Sequence, residues 1–412
     1  MASKGLQDKV LDQIRPTDKA ALKEVDLFLK KLNSEIKKNR IKAKAVLGGS
    51  MAKDTFLKGD HDCDIFVKFD LSYKDKDISK MLASLLKQFK PSLVHGSRDY
   101  YRVKNDMNYE IVPVLDIKDP KEAANVTDMS PLHVEWVKKH PGFTDDIRLA
   151  KQFCKAAGVY GAESYIKGFS GHVLDILVIH YGGFNKLLIA SQKWKDKEVI
   201  DPEKHYRRDA LHKLNRSKTD SPIIIIDPVD PQRNAAAALS SEKLERFRKA
   251  AEAFLKSPSE ESFTVKEKTV EQLKKESGRN KLVLLDVEAF TGKEDVVGAK
   301  LLKAFQQIRN QLNFYDFQIL DAGWNWNKKR KAMFWYILDP KDLVPIKKWV
   351  GPPLTEKERV QNFKTKHKKT FTEKGRACTY VKRRYVEAEA LLDDVIKQDE
   401  YLYEKVKKVV RR

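Results

Sequence analysis

Cysteine is scarce in this chain: three residues in 412, at Cys63, Cys154 and Cys378. Scattered in this way they form neither a disulfide framework nor the paired spacing of a zinc site, which suits a reducing cytoplasm. Long apolar runs are also missing. No stretch of 18 consecutive apolar residues occurs, and the first segment, MASKGLQDKVLDQIRP, has no hydrophobic signal core, so neither a membrane span nor secretion is expected. Internal repeats and low-complexity linkers are absent. Acids are in short supply, with 59 Asp and Glu against 81 Lys and Arg, a net charge of +22. Such an excess points to a polyanionic partner such as nucleic acid. Apolar residues make up 41 % of the chain, ample for the buried cores of two to four compact units.

The basic residues gather late, at Lys328-Lys329-Arg330-Lys331, Lys364 to Lys369, Lys382-Arg383-Arg384 and Lys407-Lys408 with Arg411-Arg412. Any one such run reads as a solvated face. Four of them, interleaved with Trp324, Trp326, Phe334, Trp335, Phe363, Tyr380 and Tyr385, read as an RNA-facing surface in which aromatics stack on bases and cations meet phosphates.

Periodicity predicts helix over residues 6 to 39 with a break at Pro16, then strands at 42–47, 64–69, 100–104 and 108–115, with a helix at 78–89 among them. The last two strands join through Asn105-Asp106-Met107. Residues 131 to 194 read as helical pieces separated by glycines. A short strand at Ile223–Ile226 leads into Asp-Pro-Val-Asp-Pro, and a helix spans 240–255. Beyond Ser257-Pro258-Ser259, strands at 281–289, 315–320 and 332–337, a helix at 295–311 and a long amphipathic helix at about 387–410 make an α+β unit. The expected organisation is a mixed-sheet domain over 1–140, a helical central domain over 141–256 and a basic α+β region over 257–412.

The stretch LGGSMAKDTFLKGDHDCDIFVKF, residues 47–69, carries the chemistry. Side chains two apart on a strand share a face, so Asp62 and Asp64 set two anions side by side and call for a cation between them. Mg²⁺ suits such a site, being a hard ion that takes one or two carboxylates plus substrate phosphates. A third carboxylate from a neighbouring strand would complete a two-ion clamp with metals ~4 Å apart. In NYEIVPVLD, Glu110 interrupts an apolar strand, where an unpaired carboxylate is costly. Alternation alone permits Glu110 or Asp116; at ~3.3 Å per residue the two lie about 20 Å apart, too far to serve one metal pair. Gly48 and Gly49 let the backbone approach phosphates, Ser50 offers a hydroxyl, and the following helix offers free N–H groups and its dipole to an anion. The turn alone is weak evidence; with Asp-x-Asp-Ile-Phe-Val after it, it is a signature of nucleotidyltransferases with the DNA polymerase beta type palm.

Together with SPLHVEWV, RLAKQFCKAAGVYGAESYIKGFSGHVLDILVIHYGGF, IDPVDPQRNAAAALS and GPPL, this stretch resembles the archaeal (class I) CCA-adding enzymes, which are tRNA nucleotidyltransferases. The resemblance runs from about residue 40 to 260 and more thinly to 353. It implies a nucleotidyltransferase palm, a helical central domain and a C-terminal RNA-binding region, with CTP and ATP as substrates, two Mg²⁺ ions and tRNA as partner, and it is compatible with a homodimer. It further implies Asp62, Asp64 and Glu110 as metal ligands and catalytic residues, and Gly49, Ser50, Lys53, His133, Lys151 and Tyr160 as nucleotide contacts. Arg233 falls where the family reads the incoming base. Lys53 replaces the usual arginine, keeping charge but losing the planar fork. Cys63 stands where an aliphatic residue is usual and is expected in the core. Outside the resemblance, His133 alone would read as an interfacial histidine and Lys151 as a solvated helix residue. Two other readings remain at this point: a poly(A) polymerase or 2′,5′-oligoadenylate synthetase on the same palm, and a non-catalytic RNA-binding protein that keeps the fold.

Overall fold

The computed structural model describes residues 2–412 except Asp18, His61, Asp106, Arg207, Arg208 and Glu267. Asp106, expected in the turn between two strands, therefore lies outside the described residues. The chain divides into two compact units, Met1–Lys266 and Glu267–Arg412.

In the first unit, helices α1 (Ala2–Ile14) and α2 (Lys19–Lys38) precede β1 (Ala43–Leu47), a single helical turn α3 (Gly49–Ala52), β2 (Asp62–Phe69), α4 (Ile78–Leu86), β3 (Ser92–Val94), β4 (Tyr100–Lys104) and β5 (Asn108–Leu115). The strands form one mixed sheet in the order β1-β2-β5-β4-β3, in which only β2 and β5 run parallel. Alternation along β2 decides its two faces. Cys63, Ile65, Val67 and Phe69 point into a core shared with Phe28 and Leu32 of α2 and Leu82 and Leu85 of α4, and the Phe28 ring stacks on Tyr109 with centroids 4.1 Å apart. The opposite face carries Asp62, Asp64 and Phe66. Phe66 packs with Ala52, Val114 and Val134.

Helices α5 (Ser130–Lys138), α6 (Thr144–Ala156), α7 (Gly171–Tyr181) and α8 (Phe184–Ser191) follow, then β6 (Glu198–Ile200), α9 (Ala210–Lys213), β7 (Ile223–Ile225) and α10 (Ser241–Lys256). Ser170 caps α7, its hydroxyl accepting from Val173 N at 3.2 Å, and Gly182, at φ +76°, ends it in the left-handed region. Phe153, Leu174, Leu177, Phe184, Phe247 and Phe254 form the core of this helical part, and Val10 and Leu11 of α1 lie in it rather than against the sheet.

The second unit contains α11 (Val270–Ser277), β8 (Lys281–Glu288), α12 (Glu294–Phe314), β9 (Ile319–Trp326), β10 (Lys331–Leu338), β11 (Ile346–Pro353), α13 (Lys357–Lys366), β12 (Thr370–Glu373), β13 (Arg376–Lys382), α14 (Ala388–Gln398), α15 (Glu400–Lys405) and β14 (Lys408–Arg411). An antiparallel sheet, β14-β8-β10-β9, packs Leu285, Phe334 and Tyr336 against Leu301, Phe305 and Ile308 of α12. A smaller sheet, β11-β13-β12, is backed by α13 through Val360, Phe363 and Ala377.

Three expectations from periodicity change. The long helix over 387–410 is two helices and a strand: Asp399 ends α14 and its carboxylate caps α15 by accepting from Leu402 N at 3.0 Å, and the β-branched Val409–Val410 pair joins β8 as an edge strand. The strand expected at 315–320 begins at Ile319, because α12 continues to Phe314 and Asp316 turns the chain at φ +70°. Four of the aromatics expected on an RNA-facing surface, Phe334, Trp335, Phe363 and Tyr385, are buried, because alternate strand positions and the inner helix faces supply the unit's own cores. Tyr380 is 64 % exposed.

Candidate active site

The parallel pairing of β2 with β5 sets Asp64 opposite Glu110 and Asp62 opposite Asn108. Asn108 Nδ2 donates to Asp62 Oδ1 at 3.2 Å. Arg102 on β4, registered with Glu110, donates to Glu110 Oε1 from Nε at 2.7 Å and reaches it from Nη2 at 2.6 Å. Burial, then the charges of Glu110 and Asp62, push the Asp64 carboxyl up to about 6, against the opposing pull of Lys53 and Lys151. Asp116 is turned to Lys68, at 2.6 Å. Hard carboxylate oxygens set side by side on adjacent strands are a donor set that a divalent cation would relieve, so Asp62, Asp64 and Glu110 fit such an ion.

The Gly48–Ser50 turn is stitched onto this edge, Gly48 N donating to Asp64 O at 2.8 Å. Gly49 has φ +53°, and a Cβ there would stand 1.7 Å from Asp64 Oδ2; a Cβ on Gly48 would stand 2.6 Å from the Phe66 ring. Both glycines are therefore needed for the turn to pass over the carboxylate. The helix that follows is only four residues long, so its dipole is small, and the turn's own N–H groups and the Ser50 hydroxyl are what it offers an anion.

The cationic candidates come from the helical elements and the end of α3. Lys53 Nζ lies 2.7 Å from Asp175 Oδ2 of α7, both side chains buried. Lys151 on α6 donates to Thr55 O at 3.0 Å and Thr55 Oγ1 at 2.9 Å, and burial brings its ammonium down to about 8. The Tyr160 hydroxyl and the Lys151 side chain both approach Gly171, where an added Cβ would lie 3.2 Å from Tyr160 Oη and 3.6 Å from Lys151 Cε. Burial raises the Tyr160 phenol.

His133 on α5 places Nε2 3.0 Å from Asp227 Oδ1 and its ring centroid 4.2 Å from that of His172. His172 Nε2 is 3.5 Å from Asp227 Oδ2 and its Nδ1 is 3.9 Å from Asp175 Oδ2. Arg233 Nη1 donates to Asp227 Oδ2 at 3.1 Å. A chain of contacts thus runs from Lys53 through Asp175, His172 and Asp227 to His133 and Arg233. Donor atoms of His133, His172 and Asp227 all lie within 4.8 Å of one another, with Arg233 already on one Asp227 oxygen. Asn234 is structural: it accepts from Ile225 N and Ala236 N and donates to Lys218 O and Ser221 Oγ, closing the loop that carries Arg233.

Sequence reasoning missed Arg102, His172, Asp175 and Asp227. The signal that found Glu110, a charge inside an apolar run, is also present in GHVLDILVIHY and IIIIDPVD, where His172, Asp175 and Asp227 stand among aliphatic residues.

Residues 29–125 match the model for a nucleotidyltransferase domain, 145–264 that for the second domain of tRNA nucleotidyltransferase, and 281–412 that for the C-terminal domain of the CCA-adding enzyme. A CCA-adding enzyme of Nanoarchaeum equitans is 36 % identical over 82 % of this chain and 84 % of its own length. Relatives of the same description from Methanococcus maripaludis (strain C7) and Pyrococcus abyssi are 30 % identical over 94 % and 90 %, and 35 % identical over 76 % and 73 %. Among solved structures, a cytoplasmic RNA terminal U-transferase aligns with a TM-score of 0.51 at 15 % identity, over 65 % of this chain and 99 % of that one, a likeness of fold. With three matching domains in order and relatives alike over most of both chains, this chain belongs to the archaeal-type CCA-adding enzymes of the nucleotidyltransferase superfamily.

Proposed function

We propose that this chain builds or repairs the 3′-terminal CCA of tRNA from CTP and ATP without a template, transferring a nucleotidyl group to the RNA 3′-hydroxyl and releasing pyrophosphate. The observation that carries the reading is the convergence of Asp62, Asp64 and Glu110 on adjacent parallel strands beneath the Gly48–Ser50 turn. Asp62, Asp64 and Glu110 would hold two Mg²⁺ ions. Bound there, such ions supply charge neutralisation for the attacking hydroxyl and the triphosphate.

The chain's own residues do the rest. The backbone at Gly49 and the hydroxyl of Ser50 take the triphosphate, with Lys53, His133, Lys151 and Tyr160 as further nucleotide contacts. Lys53 and Lys151 enter already held, by Asp175 and by Thr55, so little conformational freedom is lost when an anion arrives. Arg233 reads the base, its guanidinium donors matching the acceptor edges of cytosine and adenine. In domain terms, residues 1–140 are the catalytic head, 141–256 the central domain and 257–412 the tRNA-binding region. On the smaller C-terminal sheet, Lys348 lies directly opposite Tyr380, which is 64 % exposed, and Phe371 stacks on that ring at 5.2 Å. This is a basic and aromatic surface of the kind RNA uses. The reading places the enzyme in the cytoplasm and allows it to act as a homodimer. A poly(A) polymerase or oligoadenylate synthetase is not favoured, since the likeness to CCA-adding enzymes extends through the helical part and the C-terminal unit.

The test is to incubate the full chain with Mg²⁺, CTP, ATP and tRNA lacking CCA, and to sequence the 3′ ends. The expected product ends in C, C, A and stops. Tails of a single nucleotide, or no addition, would overturn the reading.

A further inference from the structure

Asp227 is fully buried at the end of β7. A carboxylate in that position persists only when its oxygens are occupied, and here they are divided between two groups of partners. Oδ1 accepts from Val229 N at 2.9 Å and Asp230 N at 3.2 Å and faces His133 Nε2 at 3.0 Å. Oδ2 accepts from Arg233 Nη1 at 3.1 Å and faces His172 Nε2 at 3.5 Å. The intervening loop is closed on itself, Asp227 N donating to Arg233 O at 3.0 Å and Asn234 bridging back to Ile225.

The division has consequences for both ends of the nucleotide. The Arg233 side chain is 47 % exposed, and a long side chain reaching toward solvent has many rotamers. Anchoring Nη1 alone removes most of that freedom and leaves the remaining N–H groups of the fork free to meet a base. His133 is buried and held neutral, its imidazole brought down to about 4 chiefly by burial. With an ionised carboxylate at Nε2, the proton of the neutral ring belongs on Nε2, so ring orientation and tautomer are set together.

We infer that Asp227 is a positioning residue for nucleotide selection: by holding Arg233 through Nη1 and His133 through Nε2 on one carboxylate, it makes the base-reading arginine and the nucleotide-contacting histidine a single rigid unit. The inference rests on the roles given above to Arg233 and His133. A base that draws Arg233 out of line is thereby opposed by the Asp227 contact, so selectivity depends on a residue that touches no nucleotide.

The experiment uses the full chain and compares wild type, Asp227→Asn, Arg233→Ala and the double variant. Kinetics of single additions of CMP, AMP, UMP and GMP to tRNA are measured alongside CTP, ATP and UTP affinities without tRNA. Asp227→Asn is expected to raise UMP and GMP misincorporation about tenfold, and to raise KM for CTP and ATP more than it lowers kcat. The double variant is expected to be no less selective than Arg233→Ala, because the two residues act through one contact. Selectivity and KM like wild type in folded Asp227→Asn, or effects that multiply in the double variant, would overturn the inference. If Asp227→Asn does not fold, ¹⁵N NMR of the wild-type histidines decides: His133 is expected as the Nε2–H tautomer at neutral pH, and the Nδ1–H tautomer would overturn it. A wild type that adds no CMP or AMP defeats the proposed function, while the nucleotide affinities and the tautomer still judge Asp227.

Discussion

Two carboxylates six residues apart, Glu110 on β5 and Asp116 just past its end, differ in what surrounds them. Glu110 sits opposite Asp64 and is held by Arg102, whereas Asp116 is half exposed beyond the strand's end and paired with Lys68. Glu110→Gln keeps the shape and removes the charge, so nucleotide addition is expected to fall by about three orders of magnitude or more, as is that of Asp64→Asn, with tRNA affinity kept. Asp116→Asn should stay within about threefold of wild type, an exposed ion pair being worth little. Rates of CMP addition in the three variants check this, and an inactive, folded Asp116→Asn enzyme would show that the wrong carboxylate had been chosen. His133 carries a prediction about stability. Its ordinary value of 6.5 drops to about 4 in the folded chain. Above pH 6.5 neither state binds the proton and the contribution is complete; from there down to about 4 the unfolded chain takes up a proton that the folded chain refuses, so stability falls with pH, by up to about 3 kcal/mol. Asp227 and Asp175 are raised by burial but lowered further, Asp227 by the hydrogen bond from His133 and the nearness of His172 and Asp175 by the charges of Lys53 and Lys151, and they lose their contributions only at lower pH. Urea unfolding at pH 7.5, 6 and 5 should show a shallower decline in His133→Gln than in wild type; equal slopes would contradict the assignment.

Among the elements, the Gly48–Ser50 turn and its one-turn helix matter most, because they bring backbone onto Asp64. Gly49→Ala would set a Cβ inside the Asp64 carboxylate at a positive φ, and we expect addition to fall at least about a hundredfold as the aspartate is displaced. Gly59 also has a positive φ, of +85°, but a Cβ there meets nothing within 4 Å, so Gly59→Ala should cost only about 1 kcal/mol of backbone strain and leave the rate near wild type. Rates and melting temperatures of the two variants, measured together, separate close approach from backbone strain; equal losses of activity would remove the special role of Gly49. At this scale much was legible. The strand expected over 64–69, the helical pieces set apart by glycines over 131–194 and the helix expected over 240–255 announce themselves through alternation, glycine punctuation and 3.6-residue periodicity. The split of the C-terminal helix did not, because the apolar spacing from Leu391 to Val409 suits a helix until Asp399 caps a new one and β8 offers Val409 a strand partner.

For the whole molecule, the charge of +22 matches a polyanionic substrate, and the smaller C-terminal sheet supplies a place to test it. Tyr380→Ala should weaken tRNA binding through lost stacking, by about tenfold, with little change in nucleotide affinity. Lys382→Ala should weaken it with a salt dependence shallower by about one unit of the log–log slope. Titrations of tRNA at several salt concentrations check both, and unchanged affinity in both variants would move the RNA surface elsewhere.

The amino-acid order alone determined most of the elements and the chemistry of local motifs: two aspartates on one strand face, a glycine turn before them, an excess of cations, and a Cys63 that belongs to the core. These follow from side-chain periodicity and residue type, which act over a few residues. Tertiary structure decided which distant charges meet. Asp175 reaches Lys53 across 122 residues, and Asp227 reaches His133 across 94. It also decided which aromatics face water, since Phe334 and Tyr380 stand in similarly basic surroundings in the sequence and differ only in what packs against them. A buried charge must find its partner wherever the fold brings one, and spacing along the chain does not encode that meeting.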